Sequence, residues 1–346
     1  MVSLPSVGTV RGDRLGVVTQ TFSVSSAVEL AVVERNGFIE SRHSGSAVVV
    51  DSDGVVIDSR GDVDSPILPR SSLKPLQALA CATAGAPLDG ERLALATASH
   101  SGTDRHVGVV REVLDAAGLD ESALQCPPAW PGDTATRDQL VRDGDEPARV
   151  RMNCSGKHAA MLLTCTVNGW DPTTYLDPSH PLQAHIREVV ERLTGSKIAA
   201  TAVDGCGAPV HAMSLTGLVR AIHRIGTSSE RSPFALHRLA GTLVRTVREN
   251  PWAIDGPGRP DTIAIERLGV FAKGGAEGVM VMVAPNGTTT ALKVLDGNGR
   301  AATAIALRLL ERHGALASAD VAATLAQLPL TVTGGGQDVG AIRPTV

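Results

Sequence analysis

Valine-rich runs broken by tight-turn dipeptides stand mainly near the two ends of this chain. AVELAVVERNG (27–37) reads as a strand that closes on Asn36-Gly37. SAVVVDSDGVVIDSRGD (46–62) is two such runs around Asp53-Gly54, and EGVMVMVAPNGTTTALKVLDGNGR (277–300) repeats the pattern around Asn286-Gly287. Each is a hairpin signal. Between them the apolar spacing is helical, in LKPLQALACATAG (73–85), RHVGVVREVLDAAG (105–118), GKHAAMLLTCTVNG (156–169), HPLQAHIREVVERLTG (180–195) and PFALHRLAGTLVRTVREN (233–250). Pro75 suits the first turn of the first helix. AATAIALRLLERHGAL (301–316) predicts a last long helix. The proline- and charge-rich stretch 126–151 reads as loop, and 96–107 as a polar segment between a strand end and a helix.

Hairpins at both ends can share one antiparallel sheet, with helices on its faces. The expected class is therefore α/β of the α+β type. Residues 1–25 read as a flexible N-terminal extension, and 26–340 as a single domain whose helical middle spans about 63–250. With 346 residues the chain can bury a large core, which must be mostly Ala, Val and Leu, since it has three Trp, one Tyr and four Phe.

Several function classes drop out. Acids and bases are mixed along the chain at a formal charge of −4. No basic patch with interleaved aromatics occurs, which argues against nucleic acid. No apolar run reaches membrane-spanning length. The N-terminus lacks the apolar core of a secretory signal. Five widely spaced cysteines, an odd count, argue against a disulfide framework and for a cytoplasmic chain with reduced thiols. Neither GxxxxGK[ST] nor GxGxxG occurs in a suitable setting.

Lysine is scarce. Of 32 basic residues only Lys74, Lys157, Lys197, Lys273 and Lys293 are lysine. Arginine stays charged at ordinary pH, whereas a buried lysine can lose its proton, so each lysine is worth testing for amine chemistry. In RSSLKP, Ser71 and Lys74 form S-x-x-K, and a helix sets residues i and i+3 on one face. A neutral Lys74 can then take the Ser71 proton. Capping by Ser71 or Ser72 is the plainer alternative. ATASHSGTDRHV (96–107) offers Ser99, Ser101 and Thr103 beside His100 and His106, with Thr103 or Asp104 as a plain helix cap. FAKGGAEGV sets Lys273 before two glycines, a partial match to the K-T-G of serine-acylating enzymes.

A second group is MNCSGKH and VDGCG. Cys154 and Cys206 are soft ligands suited to zinc, and a deprotonated Lys157 can add a nitrogen, although C-x-x-C is missing. Two buried free thiols, or a cysteine nucleophile beside His158, are the other readings. Arg70, Asn153, His158 and Asp204 sit in glycine-rich surroundings. Together they can hold a small zwitterion, a guanidinium taking the carboxylate and a carboxylate the ammonium, or they form structural ion pairs.

Taken together, VVERNGFIESRHSGSAVV, PRSSLKPLQAL, ATASHSG, MNCSGKHAAML, DGCGAPV and FAKGGAEGV resemble the bacterial L-asparaginase II family of the rhizobial, thermolabile type, over about residues 27–338. The resemblance implies a fold related to serine β-lactamases and glutaminases, a homodimer, and hydrolysis of L-asparagine to L-aspartate and ammonia. It implies two serine–lysine tandems, Ser71 with Lys74 and Ser99 with Lys273, Ser101 standing close to the latter. It also implies one zinc on Cys154, Lys157 and Cys206, and substrate contacts by Arg70, His158 and Asp204. The rival readings are a penicillin-recognising serine hydrolase, a glutaminase and a non-enzymatic amino-acid-binding protein. The first lacks support from any S-D-N-like element or true K-T-G.

Overall fold

The structure is a computed structural model that describes residues 20–346. The expected N-terminal extension, 1–25, lies over 1–19 outside the described residues; its remaining part is not loose, because Phe22 is buried in the core.

Three strands open the fold: β1 (Val28–Arg35), β2 (Phe38–Val50) and β3 (Val56–Arg60), followed by the short β4 (Pro66–Ile67). Helices α1 (Lys74–Thr83), α2 (Gly90–Ala96), α3 (Asp104–Ala116), α4 (Thr134–Asp143), α5 (Ser155–Asn168) and α6 (Pro181–Thr194) come next. A hairpin of β5 (Ala200–Val203) and β6 (Pro209–Ser214) leads into α7 (Leu215–Gly226), α8 (Ala235–Glu249) and α9 (Pro260–Leu268). Strands β7 (Phe271–Gly275), β8 (Val279–Val283) and β9 (Thr289–Val294) follow. After α10 (Ala302–Arg312) and α11 (Ser318–Leu325) the fold ends in β10 (Thr331–Gly334) and β11 (Gln337–Pro344).

The expected class holds: a mixed α/β fold with an antiparallel sheet joining strands from both ends of the sequence. The sheet runs β10-β11-β1-β2-β9-β8-β7, with β3 paired to β2. Asn36 and Gly37 both take positive φ, the geometry a two-residue hairpin between right-twisted strands requires. Every residue of β8 and β9 is buried, so both faces of the sheet are covered there. Helix α7 packs on β2, β8 and β9, and α10 on β8, β9 and β11. No helix among the described residues is long and apolar enough to cross a membrane.

Helix α1 lies inside the helical layer, against α5, α6 and α8, with all but its last residue buried. Its alternating alanines, Ala78, Ala80 and Ala82, let neighbouring backbones approach, and Pro75 occupies the first turn, where a missing N–H is harmless.

Two expectations need correction. The stretch 126–151 is not all loop. Asp133 caps α4 by accepting from the Thr136 N–H, and Gly144 closes it in the left-handed region. Cap chemistry there outweighs a polar composition. The residues before Ser99 end a helix, α2, not a strand. A second, small sheet, β4-β6-β5, lies within the helical middle region.

Candidate active site

The stretch that carries Ser71 is not regular α-helix. Residues Arg70–Leu73 form a 3-10 turn, and α1 begins at Lys74. Arg70 has φ +51°, a left-handed conformation that is uncommon for a side chain of this size and concentrates at functional sites. Neither serine caps α1: its N-cap is Leu73, with no side-chain bond. The Ser72 hydroxyl donates to the Lys273 carbonyl at 3.1 Å. Gly275 lies so close to this turn that a Cβ there would meet the Pro69 carbonyl oxygen at 2.7 Å. The K-G-G strand thus presses on the S-x-x-K turn, and only glycine permits it.

A cavity of about 350 Å³ opens at this junction. Ser71, Ser99, Asn153 and Lys273 line it. The Ser71 hydroxyl makes no hydrogen bond among the described residues and is only half-buried, so it is open to the cavity. Lys74 lies beneath, 1% exposed. Its amine donates to the Ser99 hydroxyl at 2.9 Å, to the Ala98 carbonyl at 2.5 Å and to the Asn153 carbonyl at 3.5 Å. The hydrogen bond of Lys74 therefore goes to Ser99, and none joins it to Ser71 among the described residues. Burial pulls the Lys74 amine down to about 8; Cys154 acts against this, while the charges of Lys273 and Lys157 reinforce it.

Lys273 is buried on β7. It donates to the Gly274 carbonyl at 2.5 Å and stands 3.9 Å from Asp261. It makes no hydrogen bond to Ser99 among the described residues. Ser101 lines a smaller side cavity of about 180 Å³, and its buried hydroxyl has no partner among the described residues. His100 and His106 are structural. His100 bonds the Ser155 hydroxyl at 2.9 Å and accepts from the Gly102 N–H. His106 completes a capping box with Thr103, the N-cap of α3.

The second group gathers behind Lys74. Cys154 stands at the N-cap of α5, which puts Lys157 and His158 in its first turn. Cys206 sits at the tip of the β5–β6 hairpin, where Gly207 supplies φ +88°. The Lys157 amine donates to Cys206 Sγ at 3.1 Å. A hydrogen bond from Cys206 holds the Cys154 thiol well below its ordinary value, against the effect of burial, with Lys74 and Lys157 adding to it. Burial would lower Lys157, but the Cys206 and Cys154 sulfurs outweigh it and raise the amine. Two sulfurs and a nitrogen thus converge, one thiol biased toward thiolate; the set fits a soft tetrahedral ion once the Lys157 ammonium gives up a proton. Among the described residues no three His, Cys, Asp or Glu side chains gather as a metal site, and here the third donor is a lysine.

The remaining predicted residues divide. Asn153 lines the cavity, and its side-chain oxygen accepts from Cys154 Sγ at 3.1 Å. Arg70 and Asp204 pair with each other at 2.8 Å and stay off the wall of the Ser71 cavity; Arg70 faces a neighbouring cleft with Glu277 and Lys293. His158 is buried. Its Nδ1 bonds the Tyr175 hydroxyl at 2.7 Å, and its Nε2 has no partner among the described residues. Burial first, then Lys157 and Lys74, holds the ring well below its ordinary value, so it is neutral.

Three charged cavity residues escaped the sequence reading: Asp255, Arg259 and Asp261. They lie in DGPGRPD (255–261), where two acids flank a Gly-Pro-rich stretch, a loop signal that could have flagged them. Asp261 accepts the Gly274 N–H at 2.6 Å, which fixes the strand that carries Lys273. Burial and the neighbouring Asp261 push the Asp255 carboxyl up to about 6.

A polar cavity that presents two hydroxyls above a buried amine is an arrangement suited to serine chemistry on a carbonyl, the class of enzyme this site resembles. More narrowly, the chain belongs to the L-asparaginase II family, whose model matches residues 31–344. It is an amidohydrolase. No curated protein matches the chain. Solved structures similar to it include Mglu, at 13% identity and TM-score 0.45 over 79% of this chain and 68% of that one. A Bacillus glutaminase gives 13% identity and TM-score 0.45 over 79% and 92%. A probable glutaminase from Bacillus subtilis, complexed with 6-diazo-5-oxo-L-norleucine, gives 13% and 0.34 over 79% and 85%.

Proposed function

We propose that this amidohydrolase releases ammonia from L-asparagine, leaving L-aspartate, through a serine nucleophile served by Lys74. One observation supports this most. The Lys74 amine is buried, lowered by that burial and hydrogen-bonded to a hydroxyl in the wall of the cavity that Ser71 faces. In this reading Ser71 Oγ attacks the side-chain amide carbon and its proton passes to the neutral Lys74 amine by way of the Ser99 hydroxyl, to which that amine is bonded. Backbone N–H groups stabilise the tetrahedral oxyanion. The C–N bond then breaks, and Lys74 returns the proton through the Ser99 hydroxyl to the leaving nitrogen. Water hydrolyses the resulting ester of Ser71. Lys273, held by the Asp261 side, keeps positive potential on the same cavity. The test is ammonia release by the full chain from asparagine and glutamine in parallel. Asparagine is expected to be the better substrate. One methylene is worth about 1–3 kcal/mol in a pocket, so a preference of roughly 10- to 200-fold is expected. Equal or better turnover of glutamine would reject asparagine as the preferred substrate.

Zinc on Cys154, Lys157 and Cys206 belongs to the same proposal. When bound, the ion would supply Lewis acidity and fixed positive charge beside the cavity. The chain's part is to offer a thiolate at the start of α5 and a second sulfur from the β5–β6 turn. Cys206→Ser is expected to lower bound zinc, by elemental analysis of the purified chain, to well under half of the wild-type content. Unchanged zinc in that variant would reject the ligand set.

A further inference from the structure

A larger cavity, about 660 Å³, opens elsewhere, between α7, the loop after it, the start of α8 and the turn joining β2 to β3. It shares no lining residue with the Ser71 cavity. Arg220, Arg224 and Arg231 face it together with His223 and His237. The chain as a whole carries a formal charge of −4, so this grouping of cations runs against the overall balance. None of the three guanidiniums lies within ion-pair distance of a carboxylate among the described residues. Glu230, beside Arg231 in sequence, is taken by Arg245 and Thr242, at 3.0 Å each. One acid, Asp53, stands at the rim with an exposed side chain.

Two of the arginines are anchored from one side. Arg220 donates through Nη1 to the Thr194 carbonyl at 2.9 Å. Arg224 donates through Nη1 to the carbonyls of Arg192, at 3.0 Å, and Leu193, at 2.8 Å. These oxygens end α6, where backbone acceptors lack intrahelical partners and carry the negative end of the helix dipole. The same bonds hold each planar fork in place and leave its other N–H groups without an acceptor among the described residues. A fork already fixed loses less freedom when it grips an oxyanion. His223 donates its Nδ1–H to the Gly287 carbonyl at 3.2 Å, which turns Nε2 toward Gly54 at the cavity wall. Helix termination by itself accounts for Arg220 and Arg224. It does not account for Arg231, whose guanidinium makes no hydrogen bond among the described residues.

The geometry points to a second binding site, for a small, multiply charged oxyanion held by the guanidiniums of Arg220, Arg224 and Arg231. Charge-assisted, two-pronged bonds of this kind suit phosphate and carboxylate oxygens alike. The site uses none of the residues of the hydrolytic reading, so the two can fail separately.

Calorimetric titration of the full chain with pyrophosphate, ATP and citrate tests it. At least one is expected to bind saturably, at one site per chain. The binding should weaken as salt rises from about 0.01 to 0.15 M, because the screening length falls from roughly 30 to 8 Å. Arg231→Glu is expected to weaken binding at least about tenfold by replacing an attractive charge with a repulsive one. Its unliganded melting temperature should match wild type, since that guanidinium holds nothing in the fold. Binding of the phosphates without citrate assigns the site to phosphate-bearing ligands, and citrate alone assigns it to polycarboxylates. No saturable binding of any of the three overturns the inference. So does equal affinity in Arg231→Glu.

Discussion

Ser71→Ala is expected to abolish ammonia release, lowering kcat by at least about 10³-fold, the scale on which a hydrolase loses activity when its nucleophile is removed. The fold should tolerate the change. The hydroxyl is half-buried and makes no hydrogen bond among the described residues, so nothing is left unpaired. A surface-like substitution of that kind moves stability within about 0.5 kcal/mol. Circular dichroism and the melting temperature should therefore match wild type while single-turnover ammonia release disappears. Near-normal turnover would remove Ser71 from the chemistry. Attention would then shift to Ser99, which already carries the hydrogen bond from Lys74.

Replacing Lys74 is the second large effect. Lys74→Arg keeps positive charge and length, but a guanidinium does not give up its proton at ordinary pH. If the amine accepts the Ser71 proton, Lys74→Arg should be as impaired as Lys74→Met, each by about 10² to 10⁴ in kcat, the usual worth of a positioned general base. If the lysine serves only as buried positive charge, the arginine variant should retain most activity and the methionine variant little. Both variants disturb a crowded place. The wild-type amine supplies hydrogen atoms to the Ala98 and Asn153 carbonyls. The assay therefore needs substrate KM alongside kcat, in protein whose near-ultraviolet dichroism is native. A fall in kcat with KM held is the signature expected of proton transfer.

Most of the hairpins and long helices were legible because each rests on local chemistry, although α7 and the β10–β11 hairpin were not read. Asn36-Gly37 and Asn286-Gly287 need neighbours only a few residues away, and so does the helix over 155–168. The α4 helix was hidden because its signal is a single cap, Asp133, inside a stretch whose overall composition reads as loop. The small β4-β6-β5 sheet was hidden because its strands are short and make sense only once paired. At the site, S-x-x-K drew attention to Ser71 and Lys74, one in the wall of the cavity and the other buried. The spacing argument assumed regular helix, whereas the serine lies in a 3-10 turn entered through Arg70 at φ +51°. The amine points instead to Ser99, a partner 25 positions on, which no local period encodes. Asp255 and Asp261 reach the cavity by the same kind of long-range folding.

The neighbour of β1 on one side is β2, completed within the first fifty residues, and on the other is β11, made of Gln337–Pro344. During synthesis the early hairpin must wait, one long edge unmatched, until residues 337–344, about 300 positions on, have left the ribosome. Pairings that close such long loops form slowly, and an unmatched edge recruits other strands while it waits. Loss of residues 337–344 would thus strip more than a terminal ribbon. It would leave β1 at the border of the sheet, an invitation to aggregation far from the cavity that Ser71 lines.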